Sequence, residues 1–443
     1  MKYLPYEEYV NTDIDWLKQT PSHWQVLKGK FIGQIATTPS LTDEELTSEE
    51  TSLCYIKVSE LNVNGNTPLF SKGSLFAIDE SISHTKNSII FPKRGEAIFT
   101  NKASILKFGA LLDPNLMSWE LESHNDLKFF YYALLARRLD DIADTSTVPQ
   151  INNKHIMPMF FPYPEPPEQR KIGIFLDYKT QKIDQLIKKK KELIEKLEEQ
   201  RIAVITQAVT KGIDENAKLK PSGVDWLGDV PEHWDVKRLR FSINSNPVKS
   251  EVANYDDDTL VSFVPMDSVS EYGGMDVSQE KPIGEVYSGY TYFQEKDVVI
   301  AKITPCFENG KGSLVPALTN DIGFGTTEFH VLRALCNINS EYLFFLTITD
   351  PFRVIGASEM LGAGGQKRIP ENFVKDFRFG LPPIEEQHYI VLFLKEKLAK
   401  LDAMKNANFS AIEKLEEYRS AIMTSAVTGK IDVRTIEIPK EVV

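Results

Sequence analysis

The chain has 443 residues, 26% of them charged and 42% apolar, and carries a formal net charge of −12 at pH 7. That length accommodates two or three domains with cores of their own, and the acidic balance argues against a protein that coats nucleic acid unaided, though not against local, sequence-specific contacts. Three scattered cysteines (Cys54, Cys306, Cys336) exclude a disulfide framework and a cysteine metal site. The opening MKYLPYEEYV has no signal-peptide pattern and no run reaches 18 apolar residues, so a reducing cytoplasm without membrane contact is the expected setting.

In chain order, a short segment (1–27) carries Trp16-Leu17, Pro21 and His23-Trp24, which return 210 residues later as Trp226-Leu227, Pro231 and His233-Trp234. A first globular region, 28–165, holds short β-like runs (LFSKGSLFAI, SIIFPKRGEAIFT, SILKF) and closes on a helix-like segment from Leu127 to Leu139. The proline cluster PYPEPPEQ then stops extended chain and opens a helix. From 169 to 210, Leu176, Ile183, Ile187, Ile194, Leu197, Val204 and Ala208 recur at spacings of three, four and seven, the seam of an amphipathic helix or coiled coil. Forty such residues span about 60 Å. Residues 166–238 therefore read as a central helical region and 239–380 as a second globular region, with TLVSFVPM, DVVIAKI and EFHVL as its strands.

Residues 381–443 form a last region, where LPPIEEQ opens a helix predicted over 385–428. Adding 218 to each seam position gives Leu394, Leu401, Lys405, Ile412, Leu415, Ile422 and Ala426, all apolar but one. The stretches Glu195–Asp214 (EKLEEQRIAVITQAVTKGID) and Glu413–Asp432 (EKLEEYRSAIMTSAVTGKID) match at 13 of 20 positions. A repeat this long is no solenoid. The pattern predicts a mixed α/β, or α+β, chain with a pseudo-twofold internal repeat. Each half has one globular domain and one long helix. The helices run antiparallel, because each offers the other a stripe to bury and the chain must return through the second domain.

Catalytic signatures are missing. There is no P-loop, no G-x-G-x-x-G (Gly323-Phe324-Gly325 reads as a turn), no H-E-x-x-H and no G-x-S-x-G. The pairs Pro166-Pro167 and Pro382-Pro383 lack the flanking Asn or Asp and aromatic residue of an adenine-methylation loop, and they start helices. His23 and His233, beside tryptophans at matched positions, are expected to pack or hydrogen-bond at a domain junction. Lys188–Lys191 reads as a solvated helix face ahead of a phosphate or partner contact. No catalytic, cofactor-binding or metal residue is expected.

Several segments resemble the specificity subunit of Type I restriction–modification systems. They are Val298-Val299-Ile300-Ala301-Lys302-Ile303-Thr304-Pro305 running on to Gly312, Gly323 to Leu332, and Gly365-Gln366-Lys367-Arg368-Ile369-Pro370 followed by Leu381-Pro382-Pro383. The first half echoes that exit as Thr147-Val148-Pro149-Gln150-Ile151-Asn152 and then Pro166-Pro167-Glu168-Gln169. The acidic stretch Asp43 to Glu50, within Thr37 to Val63, carries no family motif. The resemblance implies two target-recognition domains (28–165 and 239–380) held apart by two antiparallel helices, in a subunit without activity of its own. It further implies double-stranded DNA with a bipartite site as ligand. The implied partners are two modification subunits that use S-adenosylmethionine and two restriction (motor–nuclease) subunits that use ATP and Mg. Two similar modules on a stiff spacer suit such a site, because DNA repeats its face about every 34–36 Å.

Base edges are read chiefly by Arg or Lys at guanine and Asn or Gln at adenine, with phosphates held by Lys, Thr and backbone groups. The candidates are Lys86, Asn87, Lys93, Arg94, Asn101 and Lys102 in the first domain. In the second they are Lys302, Thr304, Asn309, Lys311, Gln366, Lys367 and Arg368. Lys311 and Thr326-Thr327-Glu328 carry a competing reading, in which they hold loops in place. The alternative for the whole chain is a non-catalytic coiled-coil scaffold that binds no DNA.

Overall fold

The computed structural model describes residues 3–61, 68–144, 148–362 and 365–439. Thr147 of the first-half exit segment lies outside them. The chain divides into two compact units, Met1–Lys191 with Asn408–Val443, and Glu192–Ala407.

Two helices account for the repeat, Pro166–Lys211 and Ile384–Val427. Both begin at the proline clusters, where a missing N–H is harmless. In both, a glutamine in the first turn is buried and ties the start down. Gln169 bonds the Pro164 carbonyl at 2.9 Å and takes the Asp126 amide at 2.9 Å, while Gln387 bonds Pro382 at 2.9 Å and takes the Asn339 amide at 2.7 Å. Asp126 and Asn339 each cap the helix that closes their own globular domain. The long helices thus start where the domains end.

Within the first unit, Arg419 donates to Asp184 at 2.9 Å and Lys190 to Asn408 at 3.1 Å. Within the second, Arg201 donates to Asp402 at 2.7 Å and Lys405 pairs with Glu198. In each unit the partner's number falls as the first helix's number rises, so the helices are antiparallel. The predicted seam is buried or half-buried throughout. Leu176, Ile183, Ile187, Leu197, Leu394, Ile412 and Ile422 are buried, and Ile194, Val204, Leu401 and Leu415 are half-buried. Lys405, the polar break in the second seam, is half-buried and faces Glu198. Polar pairs within a seam fix its register at some loss of stability. Asp184 illustrates the loss, since burial pushes its carboxyl up against the opposing pull of Arg419.

Each globular domain contains two four-stranded sheets, and the principal one has the same order in both. In the first unit the principal sheet runs Gly33–Ala36, Leu116–Leu121, Ser88–Pro92, Ser104–Leu106, all antiparallel. In the second it runs Ile243–Ser245, Phe329–Ala334, Val298–Ala301, Gly312–Leu314 with the same order. The smaller sheet of each contains one parallel pair, Cys54–Ile56 with Ala110–Leu112 and Leu260–Val264 with Ile322–Gly325. Central strands such as Ile89-Ile90-Phe91 and Val298-Val299-Ile300 are fully buried, which is why they read as unbroken apolar runs.

The tryptophan–histidine echo sits at the foot of each long helix. His23 meets Glu168 at 3.0 Å in the first unit and His233 meets Glu386 at 2.6 Å in the second, so both histidines hydrogen-bond at a junction as expected. Among the described residues no helix is long and apolar enough to cross a membrane.

Candidate nucleic-acid interface

A short main-chain ladder joins the strand after each principal-sheet core to the exit segment of its domain. In the second unit the Thr304 amide donates to Lys367 at 3.0 Å, Ile369 donates to Lys302 at 2.9 Å, and Lys302 donates to Glu328 at 2.9 Å. In the first, Gly95 donates to Pro149 at 3.0 Å, Ile151 to Lys93 at 2.9 Å and Lys93 to Asn115 at 2.7 Å. Isolated bridges pair Ile303 with Arg368 and Arg94 with Gln150. Three segments distant in sequence therefore converge in each unit, and the correspondence is residue for residue.

This ladder gathers most of the second domain's candidates. Lys302, Thr304, Lys367 and Arg368 lie on it, Gln366 directly precedes it, and Asn309 and Lys311 are on the adjoining turn. Gln366, Lys367 and Asn309 are exposed. Arg368 is less free than the sequence suggests. Its guanidinium forks onto Glu328 with two bonds of 2.8 Å, which holds the Glu328 carboxyl below the usual range. Fork-on-fork geometry orients both groups, so Arg368 is aimed and partly neutralised. The Lys311 ammonium donates to the Met266 carbonyl at 3.3 Å and the Thr304 hydroxyl to the Lys367 carbonyl at 3.3 Å. Lys311 and Glu328 thus both bond within their own unit, which suits the competing reading as well as a contact with DNA.

The first domain is more scattered. Lys93 and Arg94 lie on the ladder, Arg94 exposed. Ser104–Leu106 runs antiparallel to Ser88–Pro92, with Ile90 opposite Ser104, so Asn101 and Lys102 fall at the same end of the sheet. Lys86 and Asn87 do not. They precede the strand while Lys93 follows it, and at about 3.3 Å per residue that places Asn87 and Arg94 about 23 Å apart. Asn101 is also a correction, because its side-chain amide is spent at both ends. It donates to the Leu135 carbonyl at 2.9 Å and accepts from Leu139 at 3.0 Å, joining two helical segments.

One residue escaped the sequence reading. Gln150 occupies in the first unit the ladder position of Arg368, and glutamine is an adenine-reading side chain. The signal lies in the sequence, since the exit segment containing it echoes its counterpart in the second half. Among the described residues, no group of three or more His, Cys, Asp and Glu could hold a metal ion.

A family model described as the Type I restriction modification DNA specificity domain matches residues 21–196 and, a second time, residues 231–414. The chain belongs to that family. Each match takes in one ladder and the greater part of one globular domain. Among curated relatives, the EcoAI specificity subunit of Escherichia coli is 35% identical over 187 residues, covering 42% of this chain and 31% of that one. The EcoEI specificity subunit of the same organism is 32% identical over 224 residues, covering 50% and 37%. The chain thus aligns with only 31% and 37% of the length of those two relatives. The MjaVIII specificity subunit of Methanocaldococcus jannaschii is 23% identical, with 94% of this chain and 95% of that one covered. Likeness of fold extends further. A chain from a structural study of complex assembly and conformational transition of the type I R-M system superposes with a TM-score of 0.69 at 13% identity, covering 93% of this chain and 99% of that one. The HsdS subunit from Thermoanaerobacter tengcongensis gives 0.52, again at 13% identity and covering 93% and 98%.

Proposed function

We propose that this chain is the non-catalytic recognition subunit of a Type I restriction–modification complex. It reads a bipartite double-stranded DNA site, one half-site per globular domain, and holds two modification subunits and two restriction subunits. S-Adenosylmethionine belongs to the modification subunits, and ATP and Mg to the restriction subunits. The setting is the cytoplasm.

The observation that carries this reading is the doubled ladder. Both units build the same hydrogen-bonded frame, yet fill it with different chemistry: Arg94 and Gln150 in one, Ile303 and Arg368 in the other. Two copies of one frame with unlike side chains suit two half-sites of unlike sequence, because arginine and glutamine present different donor and acceptor patterns to base edges. The bulk charge of −12 leaves most phosphate contacts to partner subunits.

Methylome sequencing of the host with this gene present and deleted tests the proposal. Methylated adenines should occupy a two-part motif that disappears on deletion, and a motif that survives deletion overturns it. A gel-shift titration on random duplex DNA, run with and without a methyltransferase partner, separates the reading from a scaffold that binds no DNA. The purified chain alone should bind weakly and transfer no methyl group. Adenine modification needs a base flipped into a catalytic pocket, so labelled methyl transfer by the chain alone overturns the non-catalytic part.

A further inference from the structure

The foot of the long helix is built from matched residues in both units, but only one of the two is covered. In the first unit Phe175 is fully buried. The Tyr3 ring meets it edge-on at 5.6 Å, and the Lys179 ammonium lies 5.6 Å from Tyr3 and 5.9 Å from Phe175. Around this contact Asp432 donates to Leu4 at 2.8 Å, Arg434 stacks on Tyr6 at 4.9 Å, and Ile431 and Val433 are buried. In the second unit the same platform exists as Phe393 with Lys397 at 5.5 Å, each 218 residues beyond its counterpart. Nothing described fills the place of Tyr3. Asp214 and Leu219 are joined by four residues only, Glu215, Asn216, Ala217 and Lys218. A groove of about 660 Å³ results, lined by Val204, Ala208, Ile213, Leu219 and Phe393. Ile213 is 38% exposed where its counterpart Ile431 is 8% exposed, and Leu219 is 52% exposed.

We infer that this groove of the second unit binds a peptide segment of a modification subunit, seated as Tyr3 is seated in the first unit. The inference rests on the proposed function for the partner's identity and on the internal repeat for the groove. The segment's chemistry follows from the covered copy and from the rim. It offers an aromatic ring to Phe393 and Lys397, an aliphatic side chain to Ile213 and Leu219, and a basic group to Asp214 and Glu215, whose carboxylates make no ion pair among the described residues. A second copy of this chain is the weaker occupant. Its Tyr3 already sits on its own Phe175 at the effective concentration of a short tether, on the order of millimolar, and moving it across opens one platform to cover another. The two halves are therefore unequal toward their partners, although their helices repeat.

The amidated peptide MKYLPY, which carries the covering tyrosine and a lysine, is the first probe. Titrated into the full chain, it should bind one saturable site, at least tenfold weaker with Leu219→Glu in the protein or with Tyr3→Ala in the peptide. Leu219 is exposed, so that variant keeps its fold. Failure to saturate, or binding indifferent to Leu219→Glu, overturns the groove. The second arm adds purified modification subunit. Ile213→Glu with Leu219→Glu should weaken the binding of one of the two modification subunits at least tenfold, and unchanged affinity for both overturns the partner assignment. A wild-type chain that holds no modification subunit overturns the proposed function, while the peptide arm still judges the groove. Self-association of the wild-type chain that is lost in the double variant assigns the groove to a second copy and overturns the inference.

Discussion

The two ladders share a backbone and differ in most of the side chains that line them. Lys93 and Lys302 hold one place in common, and Ile151 and Ile369 another. Elsewhere Gly95 stands for Thr304, Asn115 for Glu328 and Gln150 for Arg368. The helices behave in the opposite way, repeating Phe175-Leu176 as Phe393-Leu394 and Lys179 as Lys397. The contrast has a physical cause. The ladder is held by main-chain groups, which every residue except proline supplies in full, so its exposed side chains are released from folding and free to vary, while the buried Ile151 and Ile369 repeat. The helices are held by side chains, so theirs are not.

The contrast is tested most severely in the seam. Ile183 and Leu401 are equivalent by the 218-residue offset, but Ile183 is 5% exposed and Leu401 is only half-buried. Ile183→Ala should cost about 3 kcal/mol and Leu401→Ala about 1 kcal/mol, measured as hydrogen-exchange protection of each helix segment. Equal losses would mean that repetition in sequence carries repetition in energy, and would erase the distinction drawn between the units.

The ladders come next. Gln150→Ala should weaken discrimination at one half-site about tenfold and Lys367→Ala at the other, read by methylation of substrates altered in one half only. A loss at both half-sites from either change would show a shared rather than a divided surface. Glu328→Gln should resemble Arg368→Ala, because the carboxylate aims the guanidinium, and Arg368→Lys should fail to restore function since a lysine has no fork. If Glu328→Gln leaves recognition intact, the fork is not what aims Arg368.

Much of this was legible in advance. The seam could be read because helical packing writes a period of three to four into the sequence, and the helix starts because proline marks them. Asp184, Asn408 and the cross-helix ion pairs were not, since a charged residue in a seam looks like a solvated one until its partner is known. The site was legible only in part. Lys302, Thr304 and Lys367 are brought together by main-chain bonds between segments more than 60 residues apart, and such bonds leave no trace in residue type. For the same reason Asn101 looked like a free amide when its side chain bonds Leu135 and Leu139, and Gln150 stood out only as part of the exit segment.

The smallest effect expected separates the units by pH. His330 pairs with Ile300 in the second unit as Met117 pairs with Phe91 in the first. His330 is 6% exposed, its Nε2 proton is donated to the Ile369 carbonyl at 3.0 Å, and burial drives its pKa below the usual 6.5. The neighbouring charges are Lys302, which lowers it further, and Glu371 and Glu328, which oppose. Below pH 6.5 the unfolded chain takes up a proton that the folded second unit refuses, so stability contributed by this site is complete above that value and falls as pH drops toward the folded pKa. The equivalent Met117 does not titrate. Hydrogen exchange between pH 7.5 and 5.5 should therefore show the strand Phe329–Ala334 losing protection relative to Leu116–Leu121, after correction for intrinsic rates. His330→Gln, which keeps an N–H for Ile369 but has no proton to gain, should remove that difference. Parallel pH dependence of the two strands in the wild-type chain would mean that His330 titrates as freely as in water.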